Sequence, residues 1–218
     1  MYTAQPSSTI REEATMSNPS IAWQRLQAGN QHFHATSRSR QKAATRDQSP
    51  LAVVFRCADD RTASEAVFGQ SWGSLMDISN WGHVIDTGVL ATVEYAVDKL
   101  KTPLIVILGH ENSSAMEASL EAWNNVNIPE GATRAVIEHA MFSLARQDAS
   151  ISNADELAAA HTVHTGVSLL QKSAALAKAV DSGQSAIVCL VRDADGGLRV
   201  CATFGDVAEN EAPLLECV

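Results

Sequence analysis

Two short apolar runs, LAVVFR at 51–56 and LIVILG at 104–109, each give way at once to a polar cluster. Runs of this length and composition suit strands buried on both faces, as in parallel sheets. Parallel neighbours need long crossovers, usually helical. The intervening residues supply them. VLATVEYAVDKL (89–100) has helical period, with Val89, Val93, Ala96, Val97 and Leu100 on one face. Helical patterns recur near 113–123, 131–146 and 154–180, and residues 74–79 read as a weaker strand. Thr62 and Glu65 have capping-box spacing for a short helix. SAIVCLVR (185–192) and LRVCATF (198–204), on either side of Asp195-Gly196-Gly197, read as a hairpin-like pair. The expectation is an α/β fold with a mainly parallel β-sheet flanked by helices.

The N-terminal part differs. Residues 1–16 are polar without hydrophobic period and read as a disordered tail, leaving 17–218 as a single domain. A helix is expected over 18–28, capped by Asn18, with Pro19 in its first turn and Gly29 ending it. It carries Ile21, Trp23 and Leu26; a polar, basic connector follows at 34–50. The formal net charge of −9 argues against nucleic acid or an anionic membrane as partner. No apolar run approaches the roughly 20 residues of a membrane span. Residues 1–20 lack the apolar core of a secretory signal. Cysteines at 57, 189, 201 and 217 form no CxxC pair, which suits a reducing, cytoplasmic setting.

In a parallel sheet, sites gather beyond the carboxyl ends of the strands. Cys57-Ala58-Asp59-Asp60-Arg61 follows the first apolar run, and His110-Glu111-Asn112-Ser113 follows the second. If the two strands are neighbours, Cys57 and His110 converge. A thiolate and an imidazole are both good zinc ligands, and Asp59 stands close enough to touch a bound metal or its water. Arg61 is placed to hold that carboxylate through a charge-assisted bond. Two other readings of the same residues stand beside this one. Cys57 is a nucleophile with His110 as its base, or each residue is an ordinary buried or capping side chain.

These residues also carry a family likeness. CADDRTASEAVF (57–68) resembles the Cys-x-Asp-x-Arg segment of β-carbonic anhydrases. GHVIDTGVLATVEYAV (82–97) is similar to the helix segment after the family's second strand, and LIVILGHENSSAMEASL (104–120) to the segment carrying its His-x-x-Cys. AWQRLQAGNQHF (22–33) resembles the N-terminal helical arm that wraps a partner subunit, so a homodimer or higher homo-oligomer is expected. The resemblance runs from about residue 18 to 207 and implies hydration of CO2 to bicarbonate by zinc-bound hydroxide. It implies Cys57 and His110 as zinc ligands, Asp59 and Arg61 as a catalytic dyad, and Asp59 as a ligand in a closed form.

The position of the third zinc ligand, a cysteine in the family, is Ser113. Ser114-Ala115 stands for a Gly-Ala step, Ser79 for an arginine and Trp81 for an alanine; Met76-Asp77-Ile78 puts a charge into an apolar strand. The expectation is a remodelled cleft with zinc weakly held or absent. Three functions follow: a weakened carbonic anhydrase holding zinc through Cys57, Asp59 and His110, with His83 a candidate proton shuttle; a non-catalytic binding or assembly module; or a hydrolase of another small linear substrate, its pocket reshaped by Trp81.

Overall fold

The structure, a computed structural model, describes residues 19–36, 49–146 and 151–207. The chain divides into two compact units, 1–43 and 44–218. In the first, helix α1 spans Pro19–Thr36. The tail 1–16, the cap Asn18 and residues 37–48 of the connector lie outside the described residues. Helix α1 runs past Gly29, the expected stop. A lone glycine costs a helix only about 1 kcal/mol relative to alanine, and nothing lies within 4 Å of its would-be Cβ. Trp23 and Leu26 are 60% and 66% exposed.

The second unit holds a five-stranded sheet in the order β2-β1-β3-β4-β5. Its strands are β1 (Ala52–Cys57), β2 (Leu75–Asn80), β3 (Leu104–His110), β4 (Ala186–Arg192) and β5 (Leu198–Phe204). The first four run parallel and β5 returns antiparallel from β4, so the expected hairpin is present. The crossovers contain α2 (Ser64–Val67), α3 (Thr87–Asp98), α4 (Ser114–Asn125), α5 (Ala132–Ala145), α6 (Ala154–Lys172) and α7 (Ala174–Asp181). Asp86 caps α3, its carboxylate accepting from Val89 N at 2.8 Å. The helical pattern at 154–180 breaks at Ser173, which ends α6 and caps α7. The Thr62–Glu65 capping box does not form. Helix α2 begins one residue later, with Ala63 at its N-cap, and Thr62 N instead donates to Asp60 Oδ1.

The sheet is covered unequally. Val53, Phe55, Ile105, Ile107 and Ile187 pack beneath apolar residues of α3, α6 and α7. The opposite face, with Ala52, Val54, Val106, Leu108 and Leu190, meets Val67 and Phe68 at the end of α2. It leaves an apolar hollow of about 220 Å³. Asp77, the charge within β2, lies on the edge strand. It accepts from Arg56 Nε at 2.8 Å and Ser64 Oγ at 2.6 Å, so its position is paired rather than strained.

Helix α6 approaches the sheet closely at Gly166, where an added Cβ would stand 2.8 Å from Cys189 Sγ and 3.0 Å from Phe204 Cε2. Gly166→Val should therefore destabilise the fold by about 1–3 kcal/mol through overpacking. Urea denaturation checks it, and an unchanged midpoint would contradict this packing.

Candidate metal centre

Strand β1 sits between β2 and β3, so the chain leaves it to one side while β3 joins it from the other. Such a switch point opens a crevice beyond the carboxyl ends of the two strands. Arg56 of β1 is in register with Leu108 of β3. The last residues of these strands, Cys57 and His110, therefore emerge side by side, and Asp59 follows in the turn after β1. One ligand atom from each of Cys57, Asp59 and His110 lies within 4.8 Å of the others.

The hydrogen bonds hold these groups in defined orientations. Gly82 N donates to Cys57 Sγ at 3.1 Å. Gly82 has φ +74°, and a Cβ there would stand 2.4 Å from Val136 Cγ1, so only glycine brings this N–H to the sulfur. His110 Nδ1 donates to Glu111 O at 2.9 Å, and Nε2 donates to Asp59 Oδ1 at 2.7 Å. Both ring nitrogens thus face acceptors, which is the bonding of an imidazolium. Asp59 Oδ2 accepts from Ser114 N and Ser114 Oγ, each at 2.8 Å, at the start of α4. Ser113, the N-cap of that helix, is buried, with its Oγ 3.4 Å from the same oxygen.

The electrostatics follow from this bonding. Burial pushes the His110 imidazole down, but hydrogen bonds to Asp59 and Cys57 and the Asp59 charge prevail and raise it to about 10. Burial likewise works against the Asp59 carboxylate. Its hydrogen bonds with His110, Cys57 and Ser114 nevertheless hold it well below the usual carboxylate range. A thiol, an imidazole and a carboxylate on one side of a small crevice form a donor set that fits a zinc ion and leaves a fourth position open.

Of the sequence candidates, Cys57, Asp59, His110 and Ser113 come together, whereas Arg61 does not join them. Its side chain is exposed and makes no ion pair with Asp59 among the described residues. The buried carboxylate of the neighbouring Asp60 is instead held by Arg192, at 3.2 Å from Nε and 3.1 Å from NH2. His83 is buried behind the site, its Nε2 3.0 Å from Leu108 O, and burial pushes it down to about 4. His161, unremarked in the sequence, is buried beside it. Its Nε2 lies 3.0 Å from Gly82 O and its Nδ1 2.9 Å from Ser143 Oγ. Together with Cys57, His110 and Ser113 these two histidines line a small internal cavity. The helical spacing of residues 154–180 holds the signal that could have found His161, since it shares a buried stripe with Leu157, Ala158 and Thr165.

The family model for carbonic anhydrase matches residues 52–198. A carbonic anhydrase of Mycolicibacterium smegmatis is 38% identical over 202 residues, covering 88% of this chain and 98% of the relative. Carbonic anhydrase 2 of Mycobacterium tuberculosis is 37% identical over 203 residues, with coverage of 88% and 98%. Among solved structures, the β-carbonic anhydrase CcaA superposes with a TM-score of 0.66 at 19% identity, covering 86% of this chain and 93% of that one. A match among the tetrameric β-carbonic anhydrases of Sordaria macrospora gives 0.60 at 17% identity, covering 83% and 92%. At these identities the solved structures speak for the fold alone.

A metal ion takes the neutral imidazole, so binding must displace the proton that His110 carries below about pH 10. Zinc titrated into metal-free protein at pH 8 should release at least about one proton per ion. Affinity should rise between pH 7 and 9. Calorimetry in buffers of different ionisation enthalpy measures this, and zinc binding without proton release would contradict the bonding assigned to His110.

Proposed function

The chain belongs to the β-carbonic anhydrase family, and from that premise we propose that it hydrates CO2 reversibly to bicarbonate with zinc held by Cys57, Asp59 and His110. The observation that carries this reading is the convergence of those three donors within 4.8 Å. Ser113 occupies the position of a third protein ligand, and a neutral hydroxyl is a weak donor that does not ionise like a thiol. Asp59 takes over its part. One thiolate and one carboxylate balance the charge of Zn²⁺ as two thiolates would. Zinc bound here would supply Lewis-acid activation of water at the fourth position.

This chain's own residues set the expected rate. Asp59 is engaged as a ligand and no longer free to orient the attacking water. The Trp81 ring packs against the cluster containing Cys57, and we expect its bulk beside the site to slow the approach of a small linear substrate. Both features favour slow hydration. Stopped-flow measurement on zinc-loaded protein should show hydration above the buffer rate, lost in His110→Ala. Protein that carries about one zinc per chain yet adds nothing to the buffer rate would overturn the assignment and favour a non-catalytic role.

The ligand set has its own test. Four-ligand structural zinc sites are worth about 10–16 kcal/mol, so one ligand's even share is roughly 2.5–4 kcal/mol. Asp59→Asn should then weaken zinc by about 60- to 700-fold at 1.4 kcal/mol per decade. Ser113→Cys should gain less than that share, because a third ligand is already in place. Competition with a chelator measures both. A full-share gain in Ser113→Cys, with Asp59→Asn unchanged, would exclude Asp59 as a ligand.

We also propose that the chain is at least a dimer. The sheet face lined by Val54, Val106, Val188 and Leu190 has an open apolar hollow, and Leu51 at its rim is 55% exposed. Trp23 and Leu26 of α1 add further exposed apolar surface. Burying such surface against a second copy removes it from water at roughly 25 cal/mol per Å². Sedimentation should give a dimer or larger at micromolar concentration; a clean monomer would contradict the proposal.

A further inference from the structure

Trp81 and Ser114 lie 33 residues apart in sequence and touch in space. Trp81 Nε1 is 2.9 Å from Ser114 Oγ. The same Oγ is 2.8 Å from Asp59 Oδ2. The direction of both bonds is fixed by chemistry. An indole N–H only donates and a carboxylate only accepts. Ser114 Oγ must therefore accept from Trp81 and spend its single proton on Asp59. The three groups form a one-way chain in which each bond polarises the next.

The chain ends on Asp59 Oδ2, which also has Ser113 Oγ 3.4 Å away. Asp59 Oδ2 takes the Ser114 hydroxyl and Ser114 N from one side, while Oδ1 faces His110 Nε2 at 2.7 Å. With Oδ2 tied back, Oδ1 points at the space shared with Cys57 and His110. Trp81 itself is anchored, its ring packed against the cluster of Cys57, Ala115 and Met116. The indole is thus a fixed donor, able to hold a small hydroxyl in one rotamer.

We infer that Trp81 and Ser114 form a latch that fixes Asp59 as a metal ligand and keeps it from turning outward. They are positioning residues, acting on the metal only through Asp59. The inference rests on the reading of Asp59 as a zinc ligand. It adds that the bulky residue at 81 stabilises the substitute ligand through Ser114. Outer-shell hydrogen bonds of this kind typically govern metal affinity over about 10- to 100-fold.

The test compares zinc affinity, by chelator competition, and the visible absorption of the cobalt(II)-loaded protein. The proteins are the parent, Trp81→Phe, Ser114→Ala, Ser114→Thr, the Trp81→Phe/Ser114→Ala double variant and Asp59→Asn. Phenylalanine keeps an apolar aromatic ring and removes the N–H, at the cost of part of the indole's bulk. Trp81→Phe and Ser114→Ala should each weaken zinc by roughly 10-fold or more and shift the cobalt bands. Ser114→Thr keeps the hydroxyl and should bind as the parent does. The double variant should be no weaker than Ser114→Ala, because Trp81 acts through that hydroxyl. If Asp59→Asn loses zinc while Trp81→Phe and Ser114→Ala match the parent in affinity and spectrum, the latch is refuted and the ligand assignment survives. Additive losses in the double variant would also refute it. If Asp59→Asn binds as the parent does, the ligand assignment fails and the latch falls with it.

Discussion

Everything at the candidate centre depends on where the Asp59 carboxylate points. It touches both halves of the crevice: His110 at the end of β3 on one oxygen, and the start of α4 on the other. That arrangement exists only because β1 and β3 are parallel neighbours whose ends open at a switch point. The buried strands set the spacing, and the turn after each strand supplies the chemistry. Gly82, from the short segment after β2, adds the N–H that faces the Cys57 sulfur. A third strand end thus contributes to the same site.

The substitution of serine at 113 need not leave a defective site. On the proposed reading, a carboxylate two residues beyond Cys57 would restore both the ligand count and the charge balance at the metal. The cost would fall on catalysis, since a ligating Asp59 cannot also steer water. Arg61, exposed and unpaired with Asp59 in this conformation, is consistent with that division of roles. The Trp81 and Ser114 contacts tilt the balance in the same direction.

Most of the sheet was legible because its strands are apolar runs with sharp polar ends. β1, β3, β4 and the hairpin to β5 fall within a residue or two of the expected spans. Boundaries set by weak local signals were harder. Gly29 failed to stop α1, and the Thr62 cap lost to an Asp60 turn that also serves Arg192. Cys57, Asp59 and His110 were legible as candidates because each stands at, or within two residues of, the carboxyl end of an apolar strand. The Trp81–Ser114 contact was not, since a hydrogen bond between residues 33 positions apart leaves no periodic or compositional trace. Asp77 shows the same limit. Its charge is plain in the sequence, but its partner Arg56 is known only once β1 and β2 are paired.

The central claim is that Asp59 completes a zinc site with Cys57 and His110. Anomalous diffraction from crystals grown with zinc tests it most directly. The account predicts one peak bonded to Cys57 Sγ, His110 Nε2 and an Asp59 carboxylate oxygen, with the sulfur at about 2.3 Å and the others at about 2.0–2.2 Å. No peak among these residues, or a peak held by Cys57 and His110 with Asp59 turned out to Arg61, would contradict it.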